Sequence, residues 1–194
     1  MMSTWRYSLI IWFVASLPLV AQTKLEKEYR MSKEAVPVPA LRFVDDLAQE
    51  RKVKWYKEQG LERSTIEAKF KRNKRRYSVE FNNSGLLEDV EIERSYRSLP
   101  DTLKTALDLF FEAQYKRHRI CKTQIQYSGK PEIVLAFLQQ SGITAMPRVV
   151  TRFEIVAKVK SDKTSREVEF LFDQSGRLLS KAVIIQKNAD HLEY

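Results

Sequence analysis

One phrase occurs twice in this chain. Around residue 81 it reads Tyr77-Ser-Val-Glu-Phe81-Asn-Asn-Ser-Gly85-Leu-Leu87, and around residue 172 it reads Val168-Glu-Phe-Leu-Phe172-Asp-Gln-Ser-Gly176-Arg-Leu-Leu179. Each copy follows an apolar alternating stretch. Each also lies downstream of a segment opened by proline, Pro39 in one case and Pro100 in the other. Recurrence over this length predicts one small α+β unit used in tandem.

In the first unit, Leu41, Val44, Leu47 and Ala48 recur at helical spacing after Pro39. Proline suits a helix start because its missing N–H would be unpaired there. A short strand follows at Val53-Lys-Trp55-Tyr-Lys57. Ile66, Ala68 and Phe70 then alternate with Glu67 and Lys69, and Tyr77, Val79 and Phe81 alternate with Ser78 and Glu80. This period of two is that of half-buried strands. Turns fall at 71–76 and 82–85, where Gly85 supplies a positive φ, and a last strand covers 86–93. The second unit repeats the plan. Leu103, Leu107, Phe110 and Phe111 mark a helix running to about Arg117, with Asp101 in the first turn where the helix dipole favours an acid. Strands follow at 120–127, 153–159, 168–172 and 177–186. Residues 128–151 are extra, and their middle, 131–141, reads as a short helix ended by Gly142. The expected fold class is therefore α+β: two tandem helix-plus-antiparallel-meander repeats joined in one curved sheet, with the helices on one face. The expected divisions are a leader at 1–21, a charged lead-in at 22–36 with no regular structure beyond a frayed turn, units at 37–95 and 96–186, and a tail at 187–194.

The leader reading rests on Arg6, which precedes the apolar run 8–20, and on Ala21, a small residue at the cleavage position. About 13 apolar residues fit a secretory signal and are too few for a membrane span of about 20. No cysteine follows the run, so the chain is expected to be periplasmic or secreted, without a lipid anchor and without a span once the leader is removed. Cys121 is the only cysteine, so no internal disulfide can form. It reads as a small buried hydrophobe beside Ile120. The net charge of +9 directs attention to acidic partners.

Taken together, Val-Pro-x-Pro at 36–39, the Trp55 strand, Ile66-Glu-Ala-Lys-Phe70, Val79-Glu-Phe-Asn-Asn-Ser-Gly85, Ser98-Leu-Pro-Asp101 and Phe172-Asp-Gln-Ser-Gly176 resemble the PepSY-like, β-lactamase-inhibitor-like exported proteins of bacteria. The resemblance spans about residues 36–186. It implies a curved antiparallel sheet with helices on one side, whose free concave face grips an enzyme in the inhibitors, while the propeptide relatives hold a peptidase. This chain departs from the pattern in lacking a second tryptophan, in its 128–151 insertion and in its positive charge.

Alternation sorts the faces independently of any resemblance. Trp55, Ile66, Ala68, Phe70, Tyr77, Val79 and Phe81 point under the helices. Lys54, Tyr56, Glu67, Lys69, Ser78 and Glu80 share the other face with Glu154, Lys158, Glu167, Glu169 and Asp173, and that face is expected to stand open to water. The predicted function is a non-catalytic binding or inhibitor-type protein that docks a protein partner there, with Tyr56 as anchor. The alternative uses the basic hairpin Lys69, Lys71, Arg72, Lys74, Arg75 and Arg76 as an adhesive for an anionic envelope polymer or lipid surface. Specific nucleic-acid binding is not expected. No cofactor, metal site or catalytic group is predicted. The two histidines, His118 and His191, lack ligand spacing, and no nucleophile motif or phosphate loop occurs.

Overall fold

The computed structural model describes residues 22–60, 63–140, 146–161 and 164–186. The leader, Gly142 and the tail with His191 lie outside the described residues. Strand β1 (Gln22–Met31) is followed by a 3-10 turn at Lys33–Ala35 and helix α1 (Val38–Ala48). Strands β2 (Lys54–Gln59), β3 (Ser64–Arg72), β4 (Arg75–Phe81) and β5 (Leu87–Glu93) come next. A second 3-10 turn, Tyr96–Ser98, leads into α2 (Asp101–Gln114) and β6 (Arg117–Ser128). Helix α3 (Pro131–Gln139) precedes β7 (Val150–Ser161), β8 (Thr164–Phe172) and β9 (Leu178–Gln186). Each strand pairs antiparallel with the next, from β1 to β9. The sheet curls until β1 runs parallel beside β9, Gln22 opposite Ala182, so its two edges meet.

The expected apolar face is the packed one. Ala40, Phe43, Val44, Leu47 and Ala48 of α1 are buried against Trp55, Ile66, Ala68, Phe70, Val79 and Phe81, and Val134 and Phe137 of α3 complete this cluster. Trp55 is 4 % exposed and its ring lies 6.2 Å from that of Phe81. A second cluster joins Leu103, Leu107 and Phe111 of α2 to Ile155, Ala157, Phe170 and Phe172.

Two turns fix where the helices meet the sheet. In the first, Asn82 Oδ1 accepts the N–H groups of Ser84 at 2.9 Å and Leu86 at 3.0 Å. In the second, Asp173 Oδ1 accepts those of Ser175 at 2.9 Å and Arg177 at 3.0 Å. Gly85 and Gly176 have φ of +80° and +82°, and a Cβ on either would stand 2.7 Å from Pro37 Cβ or 2.6 Å from Ala106 Cβ. Both glycines are thus required for backbone conformation and for close approach of a helix.

Three expectations are corrected. The lead-in 22–36 is not irregular, because most of it is β1. Charged side chains fall on both of its faces, so no alternation marks it. Cys121 is exposed rather than buried. The β6–β7 register shifts between Ile120 and Lys122, and the bulge turns the thiol outward. Asp173 does not sit on the polar face, because its carboxylate is occupied in the turn just described. The 131–141 helix is present as α3, and the helix expected to reach Arg117 ends at Gln114.

Candidate functional site

The polar face is assembled from rows that cross the strands. Arg30, Tyr56, Glu67, Glu80 and Asp89 are successive partners from β1 to β5. The next row runs Lys54, Lys69, Ser78, Glu91, Gln126 and Arg152 from β2 to β7. The face was expected to be wet, yet Glu67, Ser78, Glu91, Gln124 and Glu154 are buried. Curvature explains this. On the concave side of a curled sheet, side chains converge and shield one another from water.

Burial of charge here is matched by pairing. Lys69 Nζ lies 2.9 Å from Glu67 Oε2 and 2.6 Å from Glu28 Oε1. Ser78 Oγ donates to Glu67 Oε1. Burial alone would lower the Lys69 pKa, but Glu67 and Glu28 outweigh it and hold the ammonium above its ordinary range. The Tyr56 ring takes Lys69 Nζ at 5.2 Å and the Arg30 guanidinium at 5.4 Å from its centroid, both within cation–π range.

Beside this network lies a cavity of about 550 Å³. Arg51 and Lys52 reach it from the loop before β2, Lys54 from β2, Lys69 and Lys71 from β3, Arg76 from β4 and Lys122 from β6. Among the described residues, two lining carboxylates, Glu67 and Glu93, stand against these seven cations. A volume of this size suits a side chain or small ligand. A second recess of about 720 Å³ adjoins it, with Lys74, Arg75 and Arg94 added around the shared Lys71, Arg76 and Glu93.

Of the expected site residues, the structure gathers Lys54, Tyr56, Lys69, Arg76 and Ser78 around one cavity, and Lys74 and Arg75 around its neighbour. Arg72 is elsewhere. Its Nη1 donates to Leu47 O at 3.1 Å, capping the carboxyl end of α1. Glu80 is half-buried beside Asp89 and Glu91. Arg51, Lys52, Lys122 and Gln124 had not been expected. Arg51 and Lys52 enter from the loop before β2, while the register of the sheet brings in Lys122 and Gln124 from β6. His118 stacks on Phe111 at 5.1 Å, a packing role. The cavity is equipped to hold an anion by charge and hydrogen bonding.

No family model matches the sequence, and no curated protein does. Solved structures similar in shape include the following three. A DUF2874 family protein from Bacteroides ovatus superposes with a TM-score of 0.51 at 17% identity, over 76% of this chain and 87% of its own. A DUF2874 family protein from Bacteroides uniformis gives 0.50 at 12% identity, over 76% and 89%. A BLIP-like protein from Bacteroides fragilis gives 0.48 at 18% identity, over 80% and 92%. At these identities the likeness to the two DUF2874 proteins is one of fold, and it agrees with the α+β class and curved sheet.

Proposed function

We propose that this chain is a non-catalytic, exported binding protein that holds an acidic segment of a protein partner at the basic mouth of its curled sheet. The observation that carries this reading is the cavity charge, seven cations against two carboxylates around a volume of about 550 Å³. Tyr56 lines the same cavity and supplies an aromatic surface already oriented by Lys69 and Arg30. Aromatic and arginine side chains in partly desolvated pockets are common anchors of protein interfaces. Charge of one sign around a recess also speeds capture of an oppositely charged partner. The leader-like residues 1–21 favour a setting outside the cytoplasm. The matched turns at Asn82 and Asp173, each after a one-residue bulge, favour descent of the two helix-plus-strands units from one duplicated ancestor.

The test uses an acidic peptide rich in Asp and Glu and containing one Tyr, titrated into the protein and into Lys54→Glu and Arg76→Glu variants. Binding that weakens about tenfold in each variant, and weakens with salt, supports the reading. Equal affinity for all three proteins sinks it. Heparin and anionic vesicles form separate arms. Retention on either, lost in Lys74→Glu/Arg75→Glu while the peptide fails to bind, transfers the function to a polyanion surface around the second recess.

A further inference from the structure

On the same face, three carboxylates converge. Glu80 of β4 is the direct cross-strand partner of Asp89 of β5, and Glu91 stands two residues along β5 on the same side. One oxygen from each lies within 4.8 Å of the others. Like charges directly opposite in a sheet repel, and burial removes the water that would screen them. Glu91 is 6 % exposed. Its carboxyl is pushed well up by burial, and by Glu154, Glu80 and Asp89, which are all acids.

An independent observation lies on β6. Gln124 is 3 % exposed. Its Nε2 donates to Glu91 Oε2 at 2.6 Å, which places its amide at the cluster. Its Oε1, attached to the same carbon, has no hydrogen-bond partner. A buried carbonyl oxygen without a donor is costly and is satisfied by a hydrogen bond or a cation. Gln126 Nε2 meanwhile donates to Asp89 Oδ2 at 3.2 Å and holds that carboxylate in place. Three carboxylates and an amide oxygen form the donor set of a hard cation.

We propose that Glu80, Asp89 and Glu91, completed by the Oε1 of Gln124, form a calcium site on the inner face of the sheet. Coordination habit favours calcium: it takes about six to eight oxygens in flexible geometry, whereas magnesium demands a near-ideal octahedron and retains more of its water. The ion replaces mutual repulsion with shared attraction and ties β4, β5 and β6 together. It adjoins the basic cavity, which Gln124 also lines, but it does not depend on the acidic-partner reading.

The test is a thermal melt of the EDTA-treated, dialysed protein in about 1 mM CaCl2, MgCl2 or EDTA, a range chosen for extracellular calcium modules. Calcium at about tenfold excess over its Kd should raise the midpoint by about 3–6 °C, with magnesium giving a smaller rise. Glu91→Gln should melt at or above the wild type in EDTA, since it removes a buried acid crowded by other acids, and should lose the calcium response. Gln124→Met should bind calcium about tenfold more weakly by calorimetric titration, as expected for loss of a ligand or its support. The proposal is overturned by a wild-type midpoint indifferent to about 10 mM calcium. Equal shifts with magnesium, or a calcium response unchanged in Glu91→Gln, overturn it as well.

Discussion

Replacing Gly176 by alanine should destabilise the protein by about 2–5 kcal/mol, the sum of two separable costs. The first is conformational. At φ +82° an L side chain sits in the left-handed region, which costs about 1–2 kcal/mol. The second is steric. The new methyl would stand 2.6 Å from Ala106 Cβ in the middle of α2, against an optimum of about 3.5–4.0 Å between carbon atoms. Forcing the helix off the turn by that amount falls in the overpacking range of about 1–3 kcal/mol. The next atoms, Leu103 Cδ1 at 3.6 Å and Ala106 Cα at 3.8 Å, are ordinary contacts. Ala106→Gly should therefore remove the clash and leave the backbone strain. Urea denaturation of the wild type, both single variants and the double variant gives the cycle. Ala106→Gly alone should cost about 1 kcal/mol in helix propensity. The double variant should recover about 1–3 kcal/mol relative to additivity. Strict additivity, or a Gly176→Ala cost below about 1 kcal/mol, would refute the claim that α2 is seated directly on this turn.

Lys74 has φ of 62° in the two-residue Asn73-Lys74 turn, so Lys74→Gly should stabilise the fold by about 0.5–1 kcal/mol in chemical denaturation, as a residue relieved of left-handed strain. Trp55→Ala should cost about 3–5 kcal/mol by the same assay, because the ring is almost wholly enclosed between α1 and Phe81. The Asp173 carboxyl is held down at about 2 by the Ser175 hydroxyl, by the Arg177 and Ser175 backbone N–H groups and by the Arg177 charge. A depressed folded value means stability that is present above the ordinary carboxylate range and is lost as pH falls from about 4 to about 2. NMR titration should place the Asp173 midpoint there. Asp173→Asn should keep the turn, melt below the wild type at neutral pH, and match it once that carboxylate is protonated in both states.

Much of the fold was legible because its signals are local. The helical spacing of Leu103, Leu107 and Phe111, and the alternation of Ile66, Ala68 and Phe70 with charged neighbours, each identify an element and its buried side. Asn-Asn-Ser-Gly and Asp-Gln-Ser-Gly mark turns because only glycine fits their last position. Strand β1 escaped notice because its order comes from partners that are distant in sequence, β2 and β9. Cys121 was misplaced by a single inserted residue, which reverses the side to which a strand residue points. The site was legible only in part, for the same reason. Lys69, Arg76 and Tyr56 announce themselves on one meander, but Lys122 and Gln124 join them through two further ladders. Alternation assigned Glu67 and Glu154 to the polar side without indicating that curvature would close water out. Arg72 belonged by sequence to the basic run 69–76, yet a carbonyl at the end of α1 claimed it.

The parallel ladder between β1 and β9 has a kinetic consequence. The first strand to emerge finds one of its neighbours among residues 182–186, the last segment described in the structure. During synthesis, β1 can at first form only its antiparallel ladder with β2. Its other edge waits, unpaired and liable to stray pairing, until residues 182–186 have been made. Maturation therefore ends with a slow step that is sensitive to C-terminal truncation. Removal of residues from 182 onward should expose the N-terminal strand to proteases, and it also takes Val183 away from the second core cluster.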